Sequence, residues 1–131
     1  MRTDDFWLIV QGSGGRSADP DFLAELSHAL QRGGDASIAG FERHVREQVN
    51  ALDTLEIRDV ADQLWVLNDE QWLHLRAWCV TQGREFVSEL AERPGRVLRR
   101  VADGRAGPFD PPSGEVLLDC ADLARVAAET R

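Results

Sequence analysis

Apolar residues recur along this chain at steps of three and four, and nowhere alternate at period two over a useful length. That spacing gathers the apolar side chains of each segment onto one face of a helix, so the chain reads as a succession of amphipathic helices. A first short segment runs from Asp4 to Gln11 and stops at Gly12. A Gly/Ser loop fills 12–19, and Asp19-Pro20 then supplies an N-cap and a first helical residue. The helix they open carries the stripe Phe22, Leu23, Leu26 and Leu30 and ends at Gly33-Gly34. Asp35 is placed to cap a third helix, with Ile38, Phe41, Val45, Val49 and Leu52 inward and Arg43, Arg46 and Glu47 pointing elsewhere. Asp53 or Thr54 caps the fourth, whose inward positions are Ile57, Val60, Ala61 and Leu64.

The stretch from Leu64 to Phe86 is the densest in information, holding three of the four tryptophans. Asn68 and Gln71 are spaced as a capping box, and Trp72, Leu75 and Cys79 then share one face with Trp78 beside them. Gly83 either ends this helix or lies inside a longer one running to Glu92, and the stripe, which continues in phase through Phe86 and Leu90, favours one long helix weakened or kinked there. Pro94 opens a short helix carrying Val97, Leu98 and Val101. A Pro/Gly loop fills 104–114, and Val116 to Ala128 forms a last amphipathic helix. The expected fold is all-α: a single compact bundle of about six or seven amphipathic helices, one domain over residues 1–131.

Composition narrows the setting. At 131 residues, with 43% hydrophobic and 29% charged positions, the chain can bury a core without disulfides or a structural metal. No apolar run approaches the roughly 20 residues that span a bilayer, and the N-terminus lacks the features of a signal peptide, so a cytoplasmic protein without a membrane partner is expected. All 15 basic residues are arginine, as a GC-rich bacterial genome would encode. The net charge of −8 argues against general nucleic-acid binding, which relies on neutralising phosphates. The charge is uneven: 93–105 hold five arginines against one aspartate, a local +4 facing a remainder of −12. Cys79 and Cys120 lie far apart inside apolar patterns and read as buried, reduced thiols.

Candidate chemistry is sparse. The loop Gly12-Ser13-Gly14-Gly15 after Phe6-Trp7-Leu8-Ile9-Val10 has the outline of a phosphate cradle. It lacks the lysine of such loops, and its helix begins late with a carboxylate, so a linker is the better reading. His28, His44 and His74 show no metal spacing and read as surface or half-buried; no metal or cofactor is expected. No serine sits in an elbow motif and Cys79 is on an apolar face, so no nucleophile stands out. On a continuous helix Arg76, Val80 and Arg84 would form an i, i+4 ladder. With Trp72 or Trp78 beside it, and His74, Gln82 and Glu85 nearby, that ladder could line a ligand-binding cleft for an anion. The plainer reading has Arg76 or Arg84 tying down a carboxylate such as Glu56 or Asp62 of a neighbouring helix. Arg93, Arg96, Arg99, Arg100 and Arg105 form a basic patch that could dock an acidic partner or a nucleic-acid backbone, although a solvated helix face with guanidiniums near acidic neighbours is the plainer reading. No aromatic residue interleaves them, which lowers the case for stacking single-stranded nucleic acid.

The run Leu73-x-x-Arg76-Ala77-Trp78-x-Val80-x-Gln82-Gly83-Arg84-Glu85, with Pro94 about ten residues on, resembles the family called domain of unknown function 4240. The opening Asp5-Phe6-Trp7 and the closing Ala124-x-x-Ala127-Ala128 are similar as well. Several members place a glycine- and aspartate-rich stretch before the motif, where this chain has only Leu67-Asn68-Asp69-Glu70. The resemblance implies a small, mostly bacterial domain and brings no assigned activity. The function expected is a non-catalytic protein- or peptide-binding module; the alternative is a small enzyme acting on a peptide or metabolite near His74, Arg76 and Arg84. In that alternative His74 or Glu85 would move the proton and the arginines would hold the anion. The opposed charges also suit a homodimer, meeting head to tail or across a twofold axis.

Overall fold

The structure, a computed structural model, describes residues 1–12, 28–30, 32–104, 111–115 and 117–119. Six helices follow in order: α1 (Thr3–Gly12), α2 (Asp35–Ala51), α3 (Leu55–Leu64), α4 (Asp69–Thr81), α5 (Arg84–Glu92) and α6 (Pro94–Asp103). Helical turns also occur at 28–30 and 117–119, and no strand is present among the described residues. The all-α bundle expected from periodicity is the fold observed. The loop at 13–19, the helix start at Asp19-Pro20 with Phe22, Leu23 and Leu26, Cys120, and the last helix beyond 119 lie outside the described residues.

Each helix is positioned by the apolar stripe its sequence carries. On α2, Ile38, Phe41, Val45, Val49 and Leu52 are all buried, while Arg43, Arg46 and Glu47 stay exposed. Ile57 and Ala61 of α3 are buried, with Val60 and Leu64 packed against them. Trp72, Leu75 and Cys79 of α4 and Val97 and Leu98 of α6 complete the same apolar cluster. Phe6 leads the contribution of α1, at 5.1 Å from Trp7 and 5.4 Å from Phe41 between ring centroids. Burying one such side chain contributes about 1.5–3 kcal/mol. In space α1 packs on α2, α2 on α4, α4 on α5, α5 on α6, and α6 on α3.

The helix ends show how local chemistry sets the breaks. Thr54, not Asp53, caps α3: its hydroxyl accepts from the Ile57 N–H at 3.3 Å. Asn68 and Gln71 form the expected capping box on α4, with bonds of 2.7 and 3.0 Å. At α2 the expectation of an Asp35 cap is corrected, because Gly34 holds that position with a φ of 81° and Asp35 is the first helical residue. At Gly83 the expected single kinked helix is in fact two. Gly83 has a φ of 102°, which no helix accommodates, and it becomes the N-cap of α5. Across the break the Phe86 ring meets Trp78 edge-on at 5.7 Å, so the two helices still share an apolar contact.

His44 is also not the half-exposed histidine its polarity suggests. It is 4% exposed and stacks on Phe6 at 5.4 Å. Its Nδ1–H donates to the Gly40 carbonyl at 2.8 Å, leaving Nε2 to face the Thr3 hydroxyl at 3.4 Å, so both ring nitrogens have partners.

The segment 111–114 crosses α4 at close range. The Gly114 N–H donates to the His74 carbonyl at 2.8 Å. A Cβ on Gly114 would run into the backbone of Ala77 and Trp78, whereas one on Gly95 would enter open space. Gly114→Ala should therefore destabilise by about 2 kcal/mol or more, since backbone cannot move aside as a side chain would. Gly95→Ala should stabilise by about 0.5 kcal/mol through loss of unfolded-state freedom. Urea denaturation midpoints of the two variants should shift in opposite directions, and a shift of the same sign would refute this account of Gly114.

Candidate functional site

The residues singled out in the sequence divide between a buried cluster and an exposed helix face. The cluster forms where α4 meets the end of α2. Trp72 is 3% exposed, and its indole N–H donates to Asp53 Oδ1 at 3.0 Å. Asp53 is available for this because Thr54 takes the capping role. Arg76 lies one turn on from Trp72, with its guanidinium 5.1 Å from the indole centroid. Its Nη1 donates to the Val49 carbonyl at 3.2 Å and stands 3.8 Å from Asp53 Oδ2. Arg58 approaches the same ring at 5.2 Å. Its Nε donates to Asp62 at 3.2 Å and its Nη1 stands 3.8 Å from Asp69.

Burial is the dominant influence on Arg76 and lowers its pKa; Asp53 opposes that shift and the nearby Arg58 adds to it. The guanidinium stays charged at ordinary pH. It is committed on one side to a helix C-terminus, where the Val49 carbonyl accepts from both the Leu52 N–H and Arg76 and the negative end of the helix dipole suits a cation. The Arg76 Nε is buried without a hydrogen-bond partner among the described residues.

The remaining candidates do not converge on this cluster. His74 stands two residues from Arg76, about 200° around the helix, with Nε2 4.0 Å from Glu70. Trp78 packs on Phe86. Gln82 is exposed, and its amide donates to the Thr81 hydroxyl at 3.2 Å. Arg84 pairs with Asp4 at 2.8 Å, joining the first turns of α5 and α1. Glu85 is exposed and has no ion pair among the described residues. The expected ladder of Arg76, Val80 and Arg84 is not formed, because Gly83 ends the helix and Val80 is fully buried. Each arginine does tie down a carboxylate, but the partners are Asp53 and Asp4 instead of Glu56 or Asp62.

The exposed face belongs to α6. Pro94, Val97 and Leu98 turn inward, and Arg93, Arg96, Arg99 and Arg100 turn out. Arg100 Nη2 is 3.5 Å from Glu89 of α5. Arg93, Arg96 and Arg99 have no ion pair among the described residues. Arg105 lies outside the described residues.

Among the described residues no group of three or more acidic, histidine or cysteine side chains could hold a metal ion, and no helix is long and apolar enough to cross a membrane. Asp53, which is exposed, and the half-buried Arg58 complete the surroundings of Trp72 and Arg76, and sequence reasoning missed both. The Arg58–Asp62 pair was visible as an i, i+4 spacing, whereas the bond between Asp53 and Trp72 joins residues 19 apart in the chain.

Two outcomes follow. Asp53→Ala strips the buried guanidinium of a counter-charge and the indole of its acceptor, and should cost about 1–2 kcal/mol in urea denaturation. In the Arg76→Met background the same change should cost about 1 kcal/mol less, because no buried charge is left exposed to the loss; additive costs would show that the two residues act separately. The Cys79 thiol is fully buried, and burial pushes its pKa up to about 12. At pH 8 only about one thiol in 10,000 would then be ionised. Peptide-resolved alkylation should leave Cys79 unmodified in the native protein and modify it in urea; labelling at the rate of an exposed cysteine would refute the burial.

No curated protein and no solved structure matches this chain. The sequence model of the family described as protein of unknown function (DUF4240) matches residues 1–130, nearly the whole length. With its all-α architecture and the motif from Leu73 to Glu85 seated in α4 and α5, this chain belongs to the DUF4240 family.

Proposed function

We propose that this chain is a non-catalytic interaction module that receives an acidic protein or peptide segment on the outer face of α6. The observation that carries the reading is the row Arg93, Arg96 and Arg99. These side chains are exposed and without ion pairs among the described residues, on a helix whose other face is held in the core. Guanidinium groups pair with carboxylates in a planar, two-pronged geometry that lysine cannot reproduce. A protein partner is favoured over nucleic acid because the chain as a whole carries −8 and no aromatic residue lies among these arginines. A cytoplasmic setting belongs to the same reading.

The enzyme alternative draws less support. It needs His74, Arg76, Gln82, Arg84 and Glu85 around one space. Arg76 is instead bound to a helix end and Asp53, Arg84 to Asp4, and His74 leaves α4 on another side.

Each exposed ion pair contributes at most about 1 kcal/mol, so the interaction should be modest and sensitive to salt. Fluorescence anisotropy of a labelled oligoglutamate peptide tests it. Binding should be measurable at about 20 mM salt and largely lost at about 300 mM. Replacing Arg93, Arg96 and Arg99 by alanine should abolish it, while Arg43→Ala with Arg46→Ala on α2 should leave it unchanged. Equal loss in both variants, or none in either, would overturn the assignment to α6.

A further inference from the structure

The outer surface of α3 lies beside that of α6, because the two helices pack directly on one another. On α3, Glu56 and Asp59 are exposed three residues apart, and neither has an ion pair among the described residues. The next acid, Asp62, is held by Arg58. On α6, Arg96 and Arg99 repeat the same three-residue spacing with the opposite sign. On the far flank of α6 the acid Glu89 of α5 is occupied by Arg100. Two helices that pack on one another thus carry exposed charge of opposite sign, with no ion pair to it among the described residues.

We infer that a second copy of this chain is an occupant of this face. With a twofold axis between the helices, the arginine row of each copy meets the Glu56/Asp59 row of the other. One arrangement satisfies both rows twice, because a twofold interface is self-complementary. Leu55, 83% exposed and one turn before Asp59, adds an apolar side chain to the same surface. The inference rests on the arginine face being an interaction surface and names what covers it. Two ten-residue helices are each about 15 Å long. Such a face falls below the about 800 Å² per partner of a standard interface, so the dimer is weak and governed by salt.

Sedimentation velocity at about 100 μM protein, a concentration that populates weak complexes, tests this with charge-swapped variants. At low salt the wild type should sediment as a dimer and revert to monomer at about 0.5 M salt. Arg96→Glu/Arg99→Glu and Glu56→Arg/Asp59→Arg should each be monomeric alone, and an equimolar mixture of the two should associate again. Recovery on mixing cannot come from misfolded variants. A monomeric wild type, a dimer indifferent to either reversal, or a mixture that stays monomeric would each overturn the inference. If the wild type is monomeric but still binds oligoglutamate through Arg93, Arg96 and Arg99, self-association fails while the acidic-partner reading stands. Loss of both removes the two together.

Discussion

Arg76 enters the interior at the point where α4 crosses the end of α2, with only 8% of its surface exposed. Taking a guanidinium out of water costs several kcal/mol unless fixed partners replace the solvent. Here they are supplied by three separate parts of the chain. The Val49 carbonyl at the end of α2 accepts a hydrogen bond, Asp53 in the turn supplies opposite charge, and the face of Trp72 lies one helical turn away. Together they replace part of the solvent that the guanidinium gives up. Arg76 thus ties α4 to the end of α2 beside their apolar contacts, and the turn between α2 and α3 is drawn in through Asp53.

From that crossing the remaining geometry follows outward. α4 presents Trp72, Leu75 and Cys79 to the core and receives the segment 111–114 against the backbone at Ala77 and Trp78. The left-handed turn at Gly83 folds α5 away from the line of α4, and Arg84 then reaches Asp4 on α1. Pro94 starts α6 so that its apolar face meets α3 and α5, which leaves its arginines outside. The motif by which the family is recognised is thus mostly architectural in this chain. Arg76 secures a helix end, Trp78 and Phe86 span a break, and Gly83 makes it.

This division has a consequence for function. Arg58 and Arg76 are already engaged, around Trp72 and with Asp53, Asp62 and Asp69 as counter-charges. Charge without an ion pair among the described residues lies on the perimeter, on a short helix whose other face is buried. For the proposed interaction, a helix anchored in the core by its other face would lose little conformational freedom on meeting a partner.

Periodicity alone determined the helical class, because an apolar stripe at steps of three and four can be buried in only one way. Ile38 through Leu52 and Val97, Leu98 and Val101 went where their spacing put them. The capping box at Asn68 and Gln71 was equally legible, since both partners lie within one turn. What only the tertiary structure decided were choices between local options of similar energy and pairings across long stretches of chain. With Thr54 as the cap of α3, Asp53 is left to meet Trp72 and Arg76 from 19 and 23 residues away, pairings that no local pattern announces. Whether Gly83 kinked a helix or ended it depended on a backbone angle that glycine permits but does not require. A glycine at 114 reads as loop punctuation until the backbone of α4 is seen in contact with it. Sequence patterns report which face of an element is apolar; which elements meet is set by packing, and the polar partners follow from that.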